Sequence, residues 1–160
     1  MKIKLLIKAV TLVAALSLFC GLFGCKKKTE YAAEDIVSVS TSCGHMDYSH
    51  AYSFYIVKKG EQWLFSADCS ENTESDRIQL EDCLVTNKEA KKLISLVEAQ
   101  NEAQILKSYK EPRLRAFVLD ETQYYSMICF SNGETLTAKR KMSDETVEFF
   151  YRLSKKYKNN

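Results

Sequence analysis

Both histidines of this chain, His45 and His50, lie within seven residues of Cys43, in the run Cys43-Gly44-His45-Met46-Asp47-Tyr48-Ser49-His50. Thiolate, thioether and imidazole are soft donors that suit copper or zinc, so Cys43, His45, Met46 and His50 form a candidate metal site. Their spacing matches no strong zinc signature, and histidines in a polar loop also serve as solvated surface groups. Three further cysteines, Cys69, Cys83 and Cys129, stand in the body of the chain. With Cys43 they permit two disulfides in an oxidising compartment, with three possible connectivities. Cys69 with Cys83 is the favoured pair, because the two flank a polar loop. Closing a loop of about 15 residues is worth on the order of 3 kcal/mol in the chain-entropy account. Cys129 shares strand parity with Tyr125 and Met127 and also suits the role of a small buried hydrophobe.

Hydrolytic chemistry finds no support in the pattern. No nucleophile elbow, paired-carboxylate arrangement or Gly-rich phosphate loop is present, and a triad would have to recruit His45 or His50. The chain therefore reads as a binding protein rather than an enzyme, and no cofactor is implied. Tyrosines offer the more general recognition chemistry. In strands, Tyr52 and Tyr124 point opposite to Tyr55 and Tyr125, so both faces of a sheet receive aromatics. One face must be core; the other is a candidate partner surface, for which Tyr48, Tyr52 and Tyr55 are the nominated residues.

The elements that position these groups follow from hydrophobic period and turn chemistry. Residues 36–42 alternate apolar with small polar side chains, as a half-buried strand does. Residues 51–57 and 62–68 form a hairpin about Lys58-Lys59-Gly60-Glu61, and 77–85 permits a further short strand. Thr86-Asn87-Lys88-Glu89 has capping-box spacing, and behind it Ala90, Leu93, Ile94, Val97, Asn101 and Ile105 share one helical face over 87–107. Beyond Pro112, residues 114–119, 123–130 and 134–141 read as strands, the last two joined through Asn132-Gly133. Ser143-Asp144-Glu145 then caps a helix whose apolar side holds Val147, Phe150, Leu153 and Tyr157. The expected fold is two-layer α+β, with an antiparallel sheet and two helices on one face in the order βββα-βββα.

The N-terminus carries a separate message. Lys2, Lys4 and Lys8 precede an uncharged apolar run over residues 9–19, too short to span a bilayer comfortably. Leu22-Phe23-Gly24-Cys25 follows. This segment resembles the signal peptides of bacterial lipoproteins, whose lipobox has Leu at −3, a small residue at −1 and the lipid-accepting Cys at +1. The resemblance implies cleavage before Cys25, acylation of its thiol, and export to the outer side of the cytoplasmic membrane with the bilayer as first partner. By it, residues 1–24 are the signal, 25–35 the lipidated cysteine and tether, and 36–160 one domain. More than one acyl chain suffices for stable anchoring.

Charge fits that address. The chain has 23 basic and 21 acidic residues; three of the basic ones are the leader lysines, so the remainder carries 20 basic against 21 acidic. No nucleic-acid partner follows from such a balance. Lys139-Arg140-Lys141 and Lys155-Lys156-Tyr157-Lys158 are local basic clusters, read as a strand end and a helix C-terminus whose cations suit the dipole. The functional expectation is a lipid-anchored extracytoplasmic binding module that meets a protein or a wall polymer.

Overall fold

The computed structural model describes residues 31–44, 51–70, 76–111 and 122–159. The chain divides into two compact units, Met1–Glu30 and Tyr31–Asn160, and every described residue belongs to the second. The lipobox and Cys25 therefore lie outside the described residues, as do Tyr48, His45, Met46, His50 and the expected strand at 114–119.

Six strands form one antiparallel sheet. In chain order they are β1 (Ile36–Gly44), β2 (Tyr52–Lys59), β3 (Gln62–Cys69), β4 (Ile78–Val85), β5 (Gln123–Phe130) and β6 (Thr135–Ala138). Three helices accompany them: α1 (Asn87–Ala99), α2 (Glu102–Ser108) and α3 (Asp144–Lys158). The spatial order is β4-β3-β2-β1-β5-β6, so the first strand lies inside the sheet and receives β5 on its second edge after the excursion through α1 and α2. The described residues thus run four strands, two helices, two strands and a helix; the expected βββα-βββα order placed a further strand at 114–119, outside them. Two local irregularities depart from the regular periods of the sequence.

The first is a bulge in β4. Phe65 pairs with Cys83 and Ala67 with Leu80, so Ser66 is opposed by both Glu81 and Asp82. The extra residue switches strand parity, which lets Ile78 and Leu80 on one side of it, and Cys83 and Val85 on the other, all turn toward the core. Asp82 takes the left-handed conformation with φ 46°. Its backbone N–H donates to Ser66 Oγ at 3.1 Å, and its carboxylate receives Lys59 at 3.2 Å. The second event breaks the expected 87–107 helix in two. Asn101 adopts φ 54°, a conformation Asn tolerates better than most residues, and α2 departs from there.

Other local signals are realised as the residues dictate. Glu89 N–H donates to Thr86 Oγ1 and Thr86 N–H to Glu89 Oε2, completing the capping box of α1. Thr146 N–H donates to Ser143 Oγ at the start of α3. Gly133, at φ 86°, closes the β5–β6 connection with its N–H on the Phe130 carbonyl.

One face of the sheet carries Val39, Thr41 and Cys43 from β1, with Phe54 and Ile56 of β2 and Ser126 and Ile128 of β5 in register beside them. Phe150 of α3 stacks on Phe54 at 5.2 Å and on Phe65 at 6.0 Å between ring centroids. Ala90, Leu93 and Val97 of α1 and Leu106 of α2 join the same core cluster. A second irregularity, at Val37, lets Ile36 turn inward beside Phe130 although its parity differs from that of Val39. Thr41 and Ser126 answer one another across the β1–β5 boundary at 3.1 Å, which keeps these buried hydroxyls satisfied.

The ordered unit also takes in residues 31–35, which the sequence reading placed in the tether. Tyr31 stacks on Phe130 at 4.9 Å and donates to Glu134, while the Ser131 N–H bonds to the Asp35 carbonyl at 2.7 Å. Among the described residues no helix is long and apolar enough to cross a membrane.

Candidate functional site

Strand register separates the tyrosines into two populations. Tyr52 pairs with Cys43 and Cys69 on the core side and is only 7% exposed, stacked on Phe54 at 5.1 Å and edge-on to Tyr151. It is therefore corrected from the partner surface to the core. Tyr55 points the other way and is 38% exposed; Tyr125, which the sequence reading left off its nominated surface, is 44% exposed. Parity alone places Tyr125 with Tyr55 once β5 is known to lie beside β1.

The outward positions of the three central strands form rows. Val57, Ser38 and Cys129 make one; Tyr55, Ser40 and Met127 the next; Ser53, Ser42 and Tyr125 the third. Small hydroxyl side chains thus line the middle strand, with the larger Val57, Tyr55, Met127 and Tyr125 among its flanking neighbours and Ser53 opposite Ser42. The result is a shallow trough along β1. Tyr55 and Tyr125 lie two strands apart and one row out of step, roughly 12 Å between Cα atoms from standard sheet spacings. At the Tyr125 end the trough opens into a depression of about 530 Å³ that Gly44, Gln123 and Lys139 also line.

Charged groups surround the trough in pairs. Arg77 grips Asp68 with two hydrogen bonds of 2.7 Å, which hold the Asp68 carboxyl below its ordinary pKa. Lys139 meets Glu111 at 3.0 Å and Lys59 meets Asp82. The basic clusters seen in the sequence are likewise committed: Lys141 pairs with Asp144, and Lys156 with Glu89.

The other chemistry lies at the end of the sheet where β1, β2 and β3 meet. A cavity of about 330 Å³ there is lined by Cys43, Tyr52, Cys69 and the Asp68–Arg77 pair. Burial pushes the Cys43 thiol pKa up, against the pull of the Lys141 charge and the Tyr124 hydroxyl. A thiol held protonated is a weak nucleophile and metal ligand. Burial likewise pushes the Tyr52 phenol far up; the Thr41 hydroxyl nearby pulls it back but is itself engaged with Ser126. No hydrogen bond of normal geometry reaches Tyr52 Oη among the described residues.

None of Cys43, Cys69, Cys83 and Cys129 is joined in a disulfide. Cys69 sits opposite Ile78 and Cys83 opposite Phe65, four positions apart along β3. That is roughly 13 Å, beyond the ~7 Å over which two Cα atoms can be bridged. The favoured Cys69–Cys83 pair is therefore incompatible with this register. Cys43 and Cys69 flank Tyr52 at about two strand spacings, near 9.5 Å. Cys129 faces outward, where Thr135 Oγ1 lies 3.7 Å from its sulfur. Of the candidate metal ligands only Cys43 is described, and among the described residues no three His, Cys, Asp or Glu side chains converge on one point.

No protein family matches this chain, and neither the curated proteins nor the solved structures contain a match to it.

Proposed function

We propose that this chain is a membrane-anchored extracytoplasmic binding module that engages its partner through the face of the sheet turned away from the helices. The observation that carries the reading is the division of aromatics: Phe54, Phe65 and Tyr52 are spent on the helical side, while Tyr55, Tyr125 and Leu84 stay exposed. Leu84 lies across from Leu64, itself across from Val57, so an apolar strip continues from the trough toward the β4 edge. Exposed aromatic and aliphatic side chains gathered on one face mark an interaction surface more often than they mark chance.

The anchor rests on the lipobox resemblance. Acylation at Cys25 would hold the domain at the outer membrane surface, and the lysines at 26–28 would sit against anionic headgroups. The test pairs two questions in the full chain expressed in a bacterium. Radiolabelled palmitate should enter the wild type and not Cys25→Ser, which should leave the membrane fraction. Chemical cross-linking in intact cells should yield an adduct that is lost in Tyr55→Ala/Tyr125→Ala and kept in Lys91→Ala/Glu98→Ala, whose positions are exposed on α1. Adducts indifferent to the tyrosines would remove the open face from consideration.

A further inference from the structure

We infer that the trough along β1 takes an uncharged glycan chain; this deepens the binding reading above and rests on it. None of the outward positions of β1, β2 and β5 that pair across it, from Ser38, Ser40 and Ser42 to Val57, Tyr55 and Met127, bears a charge. Among the described residues, the flanking charges Asp68, Lys59 and Lys139 are paired with Arg77, Asp82 and Glu111. A polyanion such as nucleic acid or a phosphate-bearing polymer finds no free counter-charge at these positions, and association without charge complementarity forfeits both steering and specificity.

What the trough offers matches a sugar polymer in kind. A pyranose ring has C–H patches on its faces and hydroxyls around its rim. The faces lie against aromatic rings, and the rim groups exchange hydrogen bonds with short hydroxyl side chains. Tyr55 and Tyr125 supply two aromatic platforms on opposite flanks, offset along the strand, while Ser40 and Ser42 supply the hydroxyls between them. The platform separation of roughly 12 Å leaves room for more than one ring, so a chain rather than a monosaccharide fits the span.

Ser38 adds an independent observation. It continues the serine line on the same outward face, it is 3% exposed, and its Oγ has no hydrogen-bond partner among the described residues. Buried hydroxyls are nearly always paired, so an unpaired one at the end of a binding trough marks a bond left for a ligand or the water it carries. A protein partner would need a broad patch of roughly 800 Å² on each side. The strip between two tyrosines is one strand wide and lined with serine, which suits a narrow chain better.

The experiment uses the full chain in phosphatidylcholine nanodiscs, titrated calorimetrically with chitotetraose and with cellotetraose, both neutral β-linked oligosaccharides. Saturable binding of at least one is expected. Tyr55→Ala/Tyr125→Ala should weaken it about tenfold or more, and Tyr55→Phe/Tyr125→Phe should retain most of it, because the ring and not the hydroxyl makes the platform. Ser40→Lys, which leaves both rings in place but fills the floor, should abolish binding. Raising salt to about 0.5 M should change Kd less than about twofold. Absence of binding by both sugars, or a steep loss with salt, overturns the glycan assignment; if a protein still cross-links through Tyr55 in cells, the open face remains the binding surface with a different ligand. Sugar binding that survives the double alanine variant and Ser40→Lys overturns the trough itself.

Discussion

The Tyr157 hydroxyl donates to Glu89 Oε2 at 2.8 Å and so ties the last turn of α3 to the first turn of α1. The same carboxylate completes the Thr86 capping box and receives Lys156 at 2.6 Å. Burial works against its ionisation, but the bonds from Lys156, Thr86 and Tyr157 outweigh it and hold the Glu89 pKa at about 2, against 4.5 when unfolded. A depressed carboxyl pKa contributes stability that is complete above the unfolded value and is lost as pH falls from about 4.5 toward 2. Solvent reaches this cluster, so the contribution is on the order of 1–2 kcal/mol rather than the full linkage value. Urea unfolding of wild type and Glu89→Gln should differ by that amount at pH 7 and converge near pH 2. Parallel curves across the whole range would exclude the hub.

The cysteine arrangement predicts an order of alkylation. Iodoacetamide should modify partly exposed Cys83 and Cys129 in the folded protein and reach buried Cys43 and Cys69 only on unfolding, with all four of these thiols alkylated in urea without reductant, in addition to Cys20 and Cys25 wherever the chain is unprocessed. Mass spectrometry of the alkylated chain counts them. Protection of Cys69 and Cys83 together would mean a disulfide between them and a different register at β3–β4.

Tyr52→Phe removes a buried hydroxyl that lacks a partner and keeps the ring between Phe54 and Tyr151. Stability should stay level or rise by up to about 1 kcal/mol in thermal or urea unfolding. A loss of similar size would reveal a partner for that hydroxyl.

Asp82 holds a left-handed conformation that costs most residues about 1–2 kcal/mol, offset here by Ser66 and Lys59. Asp82→Gly should be near neutral and Asp82→Val destabilising by about that amount, read from urea midpoints. Equal behaviour of the two would show that the bulge does not depend on backbone freedom at this position.

These particulars explain what the sequence made legible. Thr86-Asn87-Lys88-Glu89, Asn132-Gly133 and Ser143 carry their geometry locally, and each is found where the residues place it. Odd and even parity sorted Tyr55 from Tyr124 as well, because a strand has no other way to arrange successive side chains. The bulge at Asp82, the break at Asn101 and the placement of β5 beside β1 depend on contacts across long stretches of chain, and no window of sequence contains them. Cysteine pairing failed for the same reason: Cys69 and Cys83 flank one loop, but register, not loop length, sets their separation. Tyr52 was misassigned with Tyr55 although parity separates them, since sequence alone does not say which face the helices cover.

Partner binding at the open face of the sheet is tested most directly by site-specific photo-cross-linking. A benzophenone amino acid placed at Tyr55 in the full-length chain, irradiated in intact cells, should capture a discrete partner, as should one at Tyr125. The same probe at Lys91, exposed on α1, should capture none. Capture from Lys91 with silence at Tyr55 and Tyr125 would contradict the account and move the binding surface to the helices.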